Sequence, residues 1–325
     1  MSYSNTTIGN RLDRESSALQ SEYDRPNTLT SGHRACQGCG EATGARCVID
    51  AAYRGASGKL VVVNATGCLE VFSCVYPENA WQVPWLHSLF GNAPAVAAGV
   101  ASAFKIRGMN DVRVVAQGGD GSTSDIGMGC LSGMFDRNDD VLYVCYDNQA
   151  YMNTGVQRSS STPIHARTAT TLPNAKYLGN DSCTGKNVPD IAIAHGIPYV
   201  ATASIANIMD LELKVFRAIQ IRGARYLHVH VPCPLGWGYP PSETIKIARL
   251  AIQCGLFPLF EAENGALVGS TPIGVPRPVE EYLRLQRRFA HLFGKNARTD
   301  AIEALQQVAN KNIEKYRLSG GLSDV

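Results

Sequence analysis

Residues 118–155 read GGDGSTSDIGMGCLSGMFDRNDDVLYVCYDNQAYMNTG. A Gly119-Asp120-Gly121 turn follows the β-branched run 112–116, and a helical pattern covers 126–135. The apolar run 140–146 then ends at Asp147-Asn148-Gln149-Ala150. Strand, helix and strand in this order form a parallel crossover unit, which brings both polar turns to one sheet edge. The 26 residues between Gly121 and Asn148 span one such return. Glycines let backbone N–H groups approach a phosphate, and the following helix N-terminus favours the anion. Asp120 would repel that phosphate unless a divalent ion lay between them. Mg²⁺ suits a carboxylate, a side-chain amide oxygen and a loop carbonyl, together with phosphate oxygens. Asp120 and Asn148 are the side-chain candidates, and the ligand read from this stretch is magnesium pyrophosphate. Alone, Gly-Asp-Gly is a structural turn and Asp147-Asn148 an Asx turn; their pairing across one return is what points to chemistry. A dinucleotide fingerprint is absent after the strands, since Gly127-Met128-Gly129 falls inside the helical pattern.

The same alternation continues in both directions. Runs 59–64, 198–202 and 226–231 read as strands, and 92–107, 208–221 and 242–253 as helices. This predicts an α/β fold with a doubly wound, mostly parallel sheet whose ligands bind at the carboxyl ends of the strands. The turns after Val63, Ala116, Tyr146 and Val231 then share one face. Residues 155–189 form a Ser-, Thr-, Pro- and Asn-rich loop of the functional or mobile kind. The composition changes after Phe260, and amphipathic patterns at 279–292 and 301–316 predict a C-terminal helical extension packed on the core or on another subunit. The expected organisation is an N-terminal arm (1–27), a binding domain (28–260) and the extension (261–325). The arm is polar, without the apolar core of a signal peptide, and reads as disordered or wrapped on a partner. A net charge of +2 gives no nucleic-acid footprint, and no apolar run is long enough to span a membrane. A cytoplasmic location is expected.

Ten cysteines are many for such a compartment, where thiols are buried, reactive or metal-bound. Cys130 and Cys145 lie in helical and strand patterns and read as core thiols. Cys36 and Cys39 form a C-x-x-C pair, while Cys68 and Cys233 each follow a strand. Four thiolates at one sheet edge can hold zinc or an iron–sulfur cluster, and the spacing does not choose between them. The histidines read more simply as packing or helix-end residues: His195 at a helix end, and His228 and His230 facing a packed or interfacial surface. Trp81 and Trp85 read as packing or subunit contacts, and the charged run 136–140 as a solvated edge.

The segments GHRACQGCGE (32–41), NATGC (64–68), GDG (119–121) with DIG (125–127), DNQAYMNTG (147–155), AHGIPYVATAS (194–204) and PCP (232–234) are spread in order over residues 32–263. In these segments the chain resembles the beta subunits of pyruvate:ferredoxin oxidoreductases (pyruvate synthases), in the 2-oxoacid:ferredoxin oxidoreductase family. The Gly-Asp-Gly and Asn pairing is the pattern of thiamine diphosphate enzymes. Residues 179–183 are less typical of the family. The resemblance implies thiamine diphosphate, Mg²⁺ and one [4Fe–4S] cluster. Cys36, Cys39, Cys68 and Cys233 would hold the cluster, and Asp120, Asn148 and the Ala150 carbonyl the Mg²⁺. Gly119, Asp120, Gly121 and Ser122 would take the pyrophosphate. Glu41, Cys68, Asn148, Gln149, Ala150, Tyr151, Met152 and Asn153 would line the cofactor, with Asn153 on its reacting side as the catalytic candidate.

The implied reaction is oxidative decarboxylation of a 2-oxo acid with coenzyme A and ferredoxin, or the reverse synthesis. Pyruvate is favoured; oxalate, 2-oxoglutarate and branched-chain 2-oxo acids stay open. Alpha, gamma and delta-type subunits are the implied partners. The alpha subunit would supply substrate contacts and the Glu that activates the cofactor's aminopyrimidine. A non-catalytic metal-binding scaffold would need the cysteines but not the Gly-Asp-Gly and Asn pairing. A zinc-containing thiamine enzyme without redox function would need the pairing but not the cysteines.

Overall fold

The computed structural model describes residues 18–181, 185–294 and 297–319. An eight-stranded sheet runs β2 (Trp85–Ser88), β1 (Leu60–Ala65), β3 (Arg113–Gly119), β4 (Val141–Asp147), β6 (Arg225–His230), β5 (Tyr199–Ser204), β7 (Phe260–Glu263) and β8 (Ala266–Ser270). The first six are mutually parallel, and β7 and β8 are antiparallel. The inner strands are continuous apolar runs because helices cover both faces. Helices α1 (Gly40–Gly55) and α6 (Ile208–Gln220) pack on one face, where Ile49, Val115, Val144, Leu211 and Leu227 share a core. Helices α3 (Ala93–Ile106), α4 (Met128–Asp136) and α5 (Val188–Ala194) cover the other, where Ala97, Ala116, Met134, Tyr143 and Ala192 meet. The parallel register pairs Gly119 with Tyr146 and Tyr146 with Val229. The ends of β3, β4 and β6 are therefore level, and their turns adjoin.

Several elements differ from the expectations. The helix expected at 126–135 is preceded by a π-helical turn over Gly121–Ile126, so the chain coils directly out of the Gly-Asp-Gly turn. Trp85 lies in an edge strand, and buried Trp81 donates its indole N–H to Ser73 Oγ at 2.9 Å. The expected boundary at 260/261 falls within β7, and the extension opens with two strands of the same sheet. Its expected helix at 279–292 is split into α9 (Val279–Leu283) and a 3₁₀ segment (Arg287–Leu292). Extended Gln286 separates them, and the Arg287 N–H leaves the helix to bond Gly238 O. Helix α10 (Thr299–Lys315) then joins a third core with α8 (Thr244–Gln253), through Leu305, Ala309, Ile247 and Ala251.

Residues 18–29 fold onto the chain itself. The Leu19 N–H donates to Glu212 at 2.7 Å, and Asp50 accepts from the Thr28 N–H and hydroxyl. The first 17 residues of the expected arm, and Cys183, lie outside the described residues. Among the described residues, no helix is long and apolar enough to cross a membrane.

Candidate cofactor-binding site

The turn after β3 is crimped by its own hydroxyls. Gly119 O accepts from Ser122 Oγ at 2.9 Å and Thr123 Oγ1 at 2.7 Å, and Asp120 O accepts from Ser124 Oγ at 2.6 Å. Close approach demands glycine here: a Cβ on Gly121 would lie 2.6 Å from the Tyr151 ring. Asp120 is 1% exposed. Burial, then the neighbouring Asp147, pushes its carboxyl well above the usual carboxylate range. The Ser159 hydroxyl donates to that carboxylate, and among the described residues no Lys or Arg forms an ion pair with it.

The second turn folds back beside the first. Asp147 Oδ1 accepts the Gln149 N–H at 2.9 Å, an Asx turn that supports Gln149 at φ +65°. The Asx turn is therefore real, and it belongs to the paired site. Asn148 is buried between α1 and the loop after β6. Its Nδ2 donates to Glu41 Oε2 at 3.2 Å, and its carbonyl accepts the Trp237 indole N–H at 2.8 Å. Its Oδ1 is buried without a hydrogen-bond partner among the described residues. Glu41, in the first turn of α1, is pushed up to about 7 by burial, against the hydrogen bonds from Asn148 and the Leu69 backbone. Gln149 is held by Arg288 of the extension at 2.7 Å, and that guanidinium lies 3.7 Å from the Trp237 ring centroid. Ala150 is buried, Tyr151 and Met152 are half-buried, and Asn153 is exposed.

Beside these turns lies a cavity of about 420 Å³, lined by Cys36, Cys39, Cys68, Cys233, Glu41, Asn148 and Asn153. Three of the thiols start helices. Cys39 caps α1 by accepting the Ala42 N–H, Cys68 begins α2 (Cys68–Ser73), and Cys233 caps α7 (Pro234–Trp237) by accepting the Gly236 N–H at 3.3 Å. Burial, then Glu41, pushes the Cys39 thiol up to about 12, and the same two causes raise Cys68 further. Cys74 reaches the same cavity. Among the described residues no three His, Cys, Asp or Glu side chains converge on a single metal ion; the cysteines surround a volume rather than a point. Cys47, Cys145 and Cys254 are buried elsewhere, while Cys130 is only half-buried, less than expected for a core thiol. His195 caps α5 and lies 3.1 Å from Ser132 Oγ, away from the cavity, and His228 and His230 are buried.

Sequence reasoning missed the groups that brace the site. Asp125 accepts the Ser160 N–H at 3.0 Å and Lys186 Nζ at 3.3 Å, which straps the long loop onto the π-helical turn. Ser159 and Trp237 were also not singled out, and Asp147 was read only as the start of an Asx turn. The clustered hydroxyls of residues 159–162 were the one local signal.

Residues 65–229 match the C-terminal TPP-binding domain of thiamine pyrophosphate enzymes. The pyruvate synthase subunit PorB of Methanosarcina barkeri is 50% identical over 291 residues, covering 89% of this chain and 97% of that protein. The ketoisovalerate oxidoreductase subunit VorB of Pyrococcus abyssi is 42% identical over 294 residues, covering 88% and 91%. Among solved structures, the 2-oxoglutarate:ferredoxin oxidoreductase of Magnetococcus marinus matches with a TM-score of 0.55 at 23% identity, over 67% of this chain and 71% of that one, a likeness of fold. The chain thus belongs to the thiamine diphosphate-dependent 2-oxoacid:ferredoxin oxidoreductases, in the family of pyruvate synthase PorB subunits.

Proposed function

We propose that this chain is the thiamine diphosphate-binding beta subunit of a pyruvate synthase. With its partner subunits it oxidatively decarboxylates pyruvate with coenzyme A to acetyl-CoA and CO₂, passing electrons to ferredoxin, or runs the reverse synthesis. The observation that carries this reading is the shared cavity wall: Glu41, Asn148 and Asn153 stand in one space with Cys36, Cys39, Cys68, Cys233 and Cys74, and the register of β3 and β4 sets the Asp120 turn beside the Asn148 turn.

The residues suit the groups the family implies. Asp120 is a buried carboxylate with no cationic partner among the described residues, and Asn148 Oδ1 is a buried acceptor with no donor. Those two oxygens and the Ala150 carbonyl would hold Mg²⁺. Gly119, Gly121 and Ser122 would lie against the pyrophosphate, and the Tyr151 ring packed on Gly121 leaves that position no room for a Cβ. Bound thiamine diphosphate supplies the electron sink for decarboxylating a 2-oxo acid. Cys36, Cys39, Cys68 and Cys233 would hold a [4Fe–4S] cluster, a one-electron acceptor within the same cavity. Glu41 and the Gln149–Met152 segment line the cofactor, and exposed Asn153 orients the substrate from the cavity mouth. A purely structural metal scaffold would have no use for Asp120, Glu41 and Asn148 in this arrangement.

The alpha, gamma and delta-type subunits complete the enzyme, which we place in the cytoplasm. The VorB relative favours a branched-chain 2-oxo acid as the second reading. The test is anaerobic purification of the assembled complex. Thiamine diphosphate, iron, and a visible absorbance bleached by dithionite are expected, with viologen reduction faster on pyruvate than on 2-oxoisovalerate. The chain on its own should not turn over. A colourless zinc protein, or turnover by the isolated chain, would refute this assignment.

A further inference from the structure

Strand β6 carries two buried histidines, two residues apart, in contrasting surroundings. Among the described residues neither His230 ring nitrogen has a hydrogen-bond partner, and its ring stacks on Phe257 with centroids 4.6 Å apart. It fills space. His228 is engaged at both nitrogens: Nδ1 lies 2.7 Å from the Tyr226 hydroxyl and Nε2 lies 3.0 Å from Asp147 Oδ2. One neutral tautomer satisfies the whole string, with the Tyr226 O–H donating to Nδ1 and the Nε2–H donating to Asp147. The other Asp147 oxygen accepts the Gln149 N–H at 2.9 Å. Gln149 is at φ +65°, a left-handed conformation that a non-glycine residue holds only with outside support. With both oxygens engaged, the Asp147 carboxylate cannot rotate without breaking the turn.

We infer that His228, with Tyr226 behind it, is a positioning residue for the metal–pyrophosphate turn. It fixes Asp147, and Asp147 shapes the loop that presents Asn148 Oδ1 and the Ala150 carbonyl. The inference rests on the Mg²⁺ assignment proposed above. Hydrogen-bonded groups behind metal ligands typically change metal affinity by about 10–100-fold when removed. His228 acts here through a backbone turn, so the lower end is expected.

The assembled complex is stripped with chelator and titrated with Mg²⁺, and thiamine diphosphate binding is read by equilibrium dialysis rather than by turnover. His228→Phe keeps a ring beside Tyr226 and Phe257 but removes the bond to Asp147; its Mg²⁺ midpoint should rise roughly tenfold. His228→Gln, which restores a donor near the Nε2 position, should return most of the way to wild type. Tyr226→Phe should shift the midpoint in the same direction by less. His230→Phe, equally buried but outside the string, should leave it unmoved. An unchanged midpoint in folded His228→Phe, or an equal rise in His230→Phe, would overturn the inference while leaving the functional reading intact. If His228→Phe does not fold, an unchanged midpoint in Tyr226→Phe overturns it. Mg²⁺-independent binding by the wild type would overturn both.

Discussion

Replacing Glu41 by Gln should stabilise the cofactor-free protein, and the gain should grow with pH. Glu41 is 4% exposed and its carboxyl is raised by burial from 4.5 to about 7. Below the unfolded-state value both states hold the proton, and the group contributes no pH dependence. Between the two values the unfolded chain releases its proton while the folded one keeps it, so stability falls as pH rises. Above the folded value the loss levels off at about 3 kcal/mol. Gln cannot ionise and can still accept the Asn148 Nδ2–H across the present 3.2 Å contact. Asp120, whose raised carboxyl also feels Glu41, should gain in the same direction. Urea denaturation of both proteins without cofactor, at pH 5 and pH 8, reads the difference. The variant's advantage should increase by roughly 2–3 kcal/mol between those conditions. An advantage that is the same at both pH values would refute the argument, because a gain from packing alone has no proton linkage.

Two further outcomes follow from the site. Asp120→Ala removes the carboxylate assigned to Mg²⁺, and the purified complex should lose thiamine diphosphate while keeping its iron; wild-type cofactor content would place the ion elsewhere. Ala at Cys36, Cys39, Cys68 or Cys233 should lower cluster iron and its reduced-state spin-resonance signal. Cys145→Ala, in the core of β4, should cost only about 1 kcal/mol of stability, and iron loss in Cys74→Ala with retention in Cys233→Ala would reassign the fourth ligand.

The parts of the fold legible in the sequence are those where burial on both faces leaves no choice of residue. The runs Val61-Val62-Val63, Val114-Val115-Ala116 and Val141-Leu142-Tyr143 are such strands, and each is flanked by a strand on both sides. Edge strand β2 escaped notice because Leu86 and His87 are both exposed and Pro84 precedes it. Strand β8 opens with the apolar run Ala266-Leu267-Val268 but is almost wholly exposed, and at five residues it is too short for a clear period. Helix α1 was hidden by its Gly-rich start and by Asp50, a polar residue buried because residues 20–28 cover it. At the site, Asp120 and Asn148 were legible because one crossover fixes the spacing of their turns. Asp147 was legible as the start of an Asx turn but not as the partner of His228, and Ser159 and Arg288 were not legible, because those contacts join residues far apart in the chain.

The bond from Arg288 to Gln149 carries a consequence for how the protein is made. The two residues are 139 positions apart, and the arginine that steadies the β4 turn lies in the C-terminal extension. At a synthesis rate of roughly 5–20 residues per second, the turn leaves the ribosome about 7–28 seconds before its brace. The sheet centre can therefore pair while the loop beside it still lacks its tether. A nascent chain stalled before Arg288 carries every side chain assigned to cofactor and cluster, yet lacks the guanidinium that holds Gln149.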